Sequence, residues 1–446
     1  MISSERPVRR SIRFPAPVSI LTVLLMSLLL YACSDDDNIV SPSFNTGGQN
    51  LSVDTLEVSN IDLTQLKTFT GNLSFFSAGK YDDAVFGEFR STAFITPGVT
   101  RIFNDDIIEA DAEMFLILDV RDFFGNTDST EATAEYELRY VTERWRTTSF
   151  NTETRPETGQ VIETFEVTSA TDSLAIPLPQ EWISEFRDIY LAEEEDRQEL
   201  VRENEFGFAL VPTEGSNAIA GFRSTFTETD SLNVTDFRGS RLFVKNPTPE
   251  DDPGDGDDNG DGEDGDDGED DEMRAEFSVP LRGTGFNLDI GEGGTQAEGA
   301  LPIINTFQQV LRLDTELNDR DFTEQIVSRA ELIFYDYEDS DETLPANHRR
   351  PSSERLLFYQ LDETEREFEV IKSPVFEPTF REEDDSYRVN ITNFVEQVQL
   401  GNQTITEFFI TPARNNGLII PRLLSGPGTG ERSPKLIITR INPEAN

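Results

Sequence analysis

The chain holds one cysteine (Cys33), one histidine (His348), two tryptophans and four methionines in 446 residues. A single cysteine rules out an intrachain disulfide, so the folded parts depend on packed cores rather than crosslinks. Zinc sites built on several His or Cys ligands are excluded on the same grounds. His348 sits in Pro345-Ala346-Asn347-His348-Arg349-Arg350-Pro351. Two arginines and flanking prolines read as an exposed loop with a solvated imidazole, so Ser-His-Asp and Cys-His catalysis is not expected. Lysine is scarce too: Lys67, Lys80, Lys245, Lys372 and Lys435 are all there are among 37 basic residues, and the net charge is -49. Such an excess of negative charge repels phosphates, so no nucleic-acid partner is expected. An acidic, lysine-poor surface fits a saline habitat, where salt screens self-repulsion; an ordinary acidic surface fits equally.

Long hydrophobic runs are also lacking, with one exception. Residues 18–30 (VSILTVLLMSLLL) follow Arg6, Arg9, Arg10 and Arg13. That run is short for a membrane span of about 20 residues and suits a signal-peptide core. It ends Leu30-Tyr31-Ala32-Cys33. This resembles the lipobox of bacterial lipoproteins, which implies cleavage before Cys33 and diacylglycerol on its thiol. More than one acyl chain holds stably, since each buried CH₂ contributes about 0.8 kcal/mol. Ser34-Asp35-Asp36-Asp37 resembles the acidic surface-export signal of Bacteroidota-type lipoproteins. Outer-membrane residence by a lipid anchor, on the cell surface, is therefore expected.

Beyond the signal peptide (1–32) and a flexible tether (33–50), the sharpest break is at 246–276, where Asp, Glu and Gly dominate. Such a tract cannot bury a core and is expected to be a disordered linker. It separates 51–245 from 277–446. Both regions carry short or alternating apolar runs bounded by Gly, Pro, Asn and Asp, the signature of strands. Helical patterns are confined to 180–203 and to Asn393–Leu400. The expected fold is all-β: two β-sandwich, jelly-roll-like domains in tandem.

The two regions read as copies of one plan. Ala112-Glu113-Met114-Phe115-Leu116 has a counterpart in Ala330-Glu331-Leu332-Ile333-Phe334. Asp172-Ser173-Leu174 and Asp385-Ser386-Tyr387 each open a strand that runs toward a helix. The closing strands are Arg241-Leu242-Phe243-Val244 and Lys435-Leu436-Ile437-Ile438. This order resembles DNRLRE-type β-sandwich modules of extracellular bacterial proteins, most closely at Gln308-Gln309-Val310-Leu311-Arg312-Leu313-Asp314 and Ser433-Pro434-Lys435-Leu436. Gly79-Lys80-Tyr81-Asp82-Asp83-Ala84-Val85-Phe86-Gly87 resembles the Tyr-x-Asp-Pro-Val-Phe-Gly segment of an uncharacterised family of Bacteroidota surface lipoproteins, with Ala84 in place of proline. Neither resemblance brings catalytic residues; the first implies a surface or carbohydrate-binding-like module.

Two further features invite a ligand. Asp255, Asp257, Asn259, Asp261 and Asp266 approximate the oxygen-ligand spacing of a calcium loop, with Gly260 at the bend. Loose condensation of cations on an acidic tract explains the same residues, and no cofactor other than calcium is expected. Aromatic faces could stack on sugar rings. Of Trp145, Trp182, Tyr136, Tyr140, Tyr335 and Tyr337, Trp145 beside Arg144 is the candidate for exposure, whereas Tyr136, Leu138 and Tyr140 share one strand face and read as core. The sequence thus points to a non-enzymatic surface protein that binds a glycan or an envelope partner. The alternatives are an accessory part of an outer-membrane uptake or secretion assembly and, further off, a carboxylate-based glycosidase.

Overall fold

The computed structural model describes residues 50–99, 106–128, 133–203, 207–229, 235–247, 274–291, 299–317, 326–337, 344–351, 353–360, 374–404 and 406–442. The fold is all-β, with antiparallel sheets and, among the described residues, three short helices: Gln180–Leu191, Glu194–Glu203 and Thr392–Gln399. The helical pattern at 180–203 is thus two helices. The first buries Trp182, Ile183, Phe186, Ile189 and Tyr190, an apolar face at helical spacing. Ala192 then turns to extended backbone, and Glu194, Glu195 and Asp196 begin a new first turn, where carboxylates suit the helix dipole.

The first core is β-sandwich-like. On one side lie the strands Phe75–Asp83 and Ala218–Arg223 with the far half of Glu113–Asn126. On the other lie Ala93–Pro97, Gly207–Pro212, Ala134–Val141 and Thr158–Val167. Strand alternation sends Ala134, Tyr136 and Leu138 inward. There the Tyr136 ring meets Phe222 at 6.0 Å, and Phe222 stacks on Phe76 at 5.4 Å. The Tyr136 hydroxyl donates to the Ala78 carbonyl at 2.8 Å, which satisfies a polar atom that the core would otherwise strand. Two strands turn the corner between these sheets. Glu113–Asn126 changes partners along its 14 residues, and Glu276–Phe286 does so through a bulge at Leu281/Gly283.

The second core lies between a five-stranded and a four-stranded sheet. The first runs Asn50–Glu57, Lys435–Asn442, Ile326–Tyr335, Ser386–Asn390, Phe380–Arg381; the second runs Ile61–Thr64, Val310–Asp314, Glu407–Thr411, Leu357–Tyr359. Leu332, Phe334, Leu436 and Ile438 from one sheet pack with Leu311, Leu313, Phe358 and Phe408 from the other, and Phe334 meets Phe358 at 5.7 Å.

The repeated sequence plan has a repeated pairing order. In the first core Leu116 pairs with Ile176 on one edge and with Leu242 on the other, and the closing strand Arg241–Lys245 pairs onward with Glu276–Phe286. In the second core Leu332 pairs with Val389 and Leu436, and the closing strand pairs onward with Asn50–Glu57. Strands are therefore exchanged: Asn50–Glu57 and Ile61–Thr64, which open the first region, complete the second core as edge strands, and Glu276–Phe286, which opens the second region, is inserted between two strands of the first core.

The acidic tract consequently does not separate two tandem domains, as its composition implies. Residues 51–441 form one compact unit. The ends of the tract belong to neighbouring antiparallel strands, with Lys245 opposite Glu276. Buried Asn246 fastens this neck: its amide donates to the carbonyls of Ile107 (2.7 Å) and Arg274 (2.9 Å), and its backbone N–H donates to Ala275 (2.8 Å). Arg274 pairs with buried Asp106 at 2.8 Å. Composition shows that a segment cannot enter a core, but a linker and a hairpin loop share that composition.

Candidate functional site

The chain's one histidine and the Gly79–Gly87 segment come together. Tyr81 and Asp83 lie on the strand Phe75–Asp83, which hairpins into Gly87–Ser91. The Asp83 side chain is fully buried. Its Oδ1 accepts from the backbone N–H groups of Val85 (2.9 Å) and Phe86 (3.1 Å), closing the turn, while Arg350 donates from Nη2 to Oδ1 and from Nε to Oδ2, each at 2.7 Å. The guanidinium also lies 5.3 Å from the Phe86 ring centre. A fork-shaped donor set against a carboxylate is the strong form of such a pair.

Beside it, the Tyr81 hydroxyl lies 2.8 Å from His348 Nδ1. Burial, and then the Asp83 charge, push the Tyr81 pKa up to about 12. Burial holds the His348 pKa below its ordinary value, against an opposing pull from Asp83. A protonated tyrosine and a neutral imidazole can share this bond without a net charge, the donor being set by the ring tautomer.

The segment that brings His348 and Arg350 is itself paired. His348 and Arg349 form a short strand against Asn126 and Gly125. Arg349 donates to the Phe123 carbonyl (3.0 Å) and to Asp122 (3.1 Å). The exposed loop with a solvated imidazole expected from the sequence is thus corrected: His348 is half-buried, and Arg350 is nearly enclosed. The arrangement fastens a segment of the second region onto a long strand of the first, with Arg350 paired to Asp83 and His348 bonded to Tyr81.

The other expected positions are placed as follows. Trp145 is half-buried rather than an open platform: it meets Phe150 edge-on at 5.0 Å and Phe94 at 6.1 Å, over a small core with Val141 and Ala209. Trp182 and Tyr136 are buried; Tyr140, Tyr335 and Tyr337 are half-buried. Cys33 and the calcium-like residues Asp255, Asp257, Asn259, Asp261 and Asp266 lie outside the described residues. Among the described residues no group of three or more His, Cys, Asp or Glu is arranged to hold a metal ion, and no helix is long and apolar enough to cross a membrane.

Sequence reasoning did not find the Arg350–Asp83 pair. Its signal was two adjacent arginines in a polar segment and two adjacent aspartates in a turn-forming one, a pattern that solvated residues share. No family model matches the chain, and no curated protein matches it either.

Proposed function

We propose that this chain is an exported lipoprotein, held at the outer membrane by acyl chains on Cys33, whose β-sandwich-like body serves as a non-enzymatic binding or structural module for a glycan or an envelope partner. The single observation that carries the reading is the lipobox-like Leu30-Tyr31-Ala32-Cys33 behind a short apolar run. The fold is compatible in a specific way. The first described strand, Asn50–Glu57, is an edge strand beside Lys435–Asn442. Residues 34–49 separate Cys33 from that strand in the sequence.

The test is metabolic labelling with palmitate, followed by membrane fractionation and protease treatment of intact cells. Wild-type chain is expected to take up label, to sediment with outer membrane and to be cut from outside. Cys33→Ala should do none of these. Unlabelled wild-type protein with an intact N-terminus in the soluble fraction overturns the anchor. A glycan array and an envelope pulldown that both come back empty would leave only the passive structural role.

A further inference from the structure

One turn collects every buried side-chain oxygen that lacks a donor among the described residues: Thr306 Oγ1, Gln308 Oε1 and Gln309 Oε1. The turn joins the strands Ala300–Ile304 and Val310–Asp314 and is closed by Phe307 N–H to Ile304 O (3.1 Å) and Ile304 N–H to Gln309 O (2.7 Å). Its backbone is held from several sides. Leu66 N–H donates to Phe307 O at 2.8 Å, and Phe307 keeps a φ of 62°, a left-handed conformation that non-glycine residues avoid.

Neighbouring groups show that polar satisfaction is attainable here. Asn305 donates to the carbonyls of Arg414 (3.2 Å) and Leu418 (2.9 Å) and accepts from Ile420 N–H (2.8 Å). Gln308 donates its amide nitrogen to Leu288 O at 2.7 Å, which fixes the orientation of that amide, so exchanging its nitrogen and oxygen cannot relieve the orphan. A buried acceptor without a donor is costly, and three within four residues call for an outside partner. All three atoms are oxygens with lone pairs that a cation can share, the Thr306 hydroxyl carrying a proton besides. All three are uncharged, a set that does not offset the dehydration of a divalent ion as carboxylates do.

We infer that this turn is a binding site for an alkali-metal cation, sodium or potassium, with Thr306, Gln308 and Gln309 supplying side-chain oxygen ligands. Occupancy then stabilises the junction at which the turn touches Leu66 of the first region and Leu288, which packs in the first core, and it ties folding to the identity of the salt as well as its strength. This site is independent of the anchor and of any glycan.

The test compares unfolding midpoints of the full chain in NaCl, KCl and choline chloride at equal ionic strength. For a site occupied well above its dissociation constant, the midpoint should lie about 2–4 °C higher in an alkali chloride than in choline chloride. Thr306→Val and Gln309→Met should lose that difference. Equal wild-type midpoints in all three salts overturn the inference, as does a difference that both variants retain. Variants destabilised alike in every salt, with no alkali effect in the wild type, would assign the three oxygens to buried water. Should the variants not fold, the sodium-23 resonance of wild-type samples decides: a broadened line that KCl sharpens and choline chloride does not supports the site, and a line equally sharpened by both overturns it.

Discussion

Arg350 closes on Asp83 through two bonds of 2.7 Å, across 267 positions of sequence, in a pocket that hides the carboxylate completely. Removing one partner of such a pair is worse than removing both, because the survivor keeps its desolvation cost without its compensation. Arg350→Met is expected to cost about 3–5 kcal/mol in denaturant unfolding. Adding Asp83→Asn to it should recover part of that loss, and a double-mutant cycle measures how much. Single and double variants with near wild-type stability would mean that the pair is not a fastening.

The histidine next to this pair gives a pH signature with a definite sign. Burial lowers the His348 pKa below its ordinary 6.5, so the folded chain favours the neutral ring. Above pH 6.5 the ring is neutral in both states, and its contribution is complete. As the pH falls below 6.5, the unfolded chain takes up a proton that the folded chain resists, and stability declines until the folded ring also protonates. No other histidine exists to blur the assignment. The stability difference between wild type and His348→Gln should therefore shrink on acidification through that window and stay constant above it. A difference independent of pH would separate the imidazole from folding.

Gly79 opens the same segment, and its identity has a steric cause. Its φ is 144°, and a Cβ there would stand 2.2 Å from the Ala218 carbonyl oxygen on the neighbouring strand. Backbone cannot yield as a flexible side chain does. Gly79→Ala is expected to lower stability by more than about 1 kcal/mol, read as a fall in denaturant midpoint, whereas the same change at Gly401, with nothing within 4 Å of the added carbon and a φ of 71°, brings conformational strain alone.

What the sequence made legible was local. Alternation across Ala134–Val141 and the helical face at Trp182, Phe186 and Tyr190 are properties of neighbouring residues, and both appear in the fold. The repeated order of Ala-Glu, Asp-Ser and closing strands was legible too, because each is a short run with its own pattern. Pairing across distance was not. Nothing near Asn50–Glu57 marks it as the neighbour of a strand at 435–442, since an edge strand carries the same alternation whichever sheet receives it. Trp145 shows the same limit: an aromatic next to Arg144 reads as exposed until Phe94, from the strand Ala93–Pro97 far earlier in the chain, comes to its ring. His348 and Arg350 read as loop for the same reason, their carboxylate partner being remote.

Strand exchange makes the strongest demand on experiment. Were 51–245 and 277–446 independent domains on a linker, cutting the acidic tract would release two particles, and each half would fold alone. In the exchanged arrangement each core contains a strand from the opposite side of the cut: Glu276–Phe286 lies between Arg241–Lys245 and Ala93–Pro97, and Asn50–Glu57 lies against Lys435–Asn442. A protease site placed in the tract should therefore yield two polypeptides that migrate as one particle in size-exclusion chromatography and part only under denaturant. Either half expressed alone should lack a cooperative unfolding transition, since it would expose the edges and apolar faces that the missing strands cover. Shortening residues 248–273 to a few-residue turn should not destabilise the fold, because the neck at Asn246 closes independently of the loop. A shorter closure is expected to add about 1–2 kcal/mol. Separation of the cut chain into two folded species would restore tandem domains and remove the exchange.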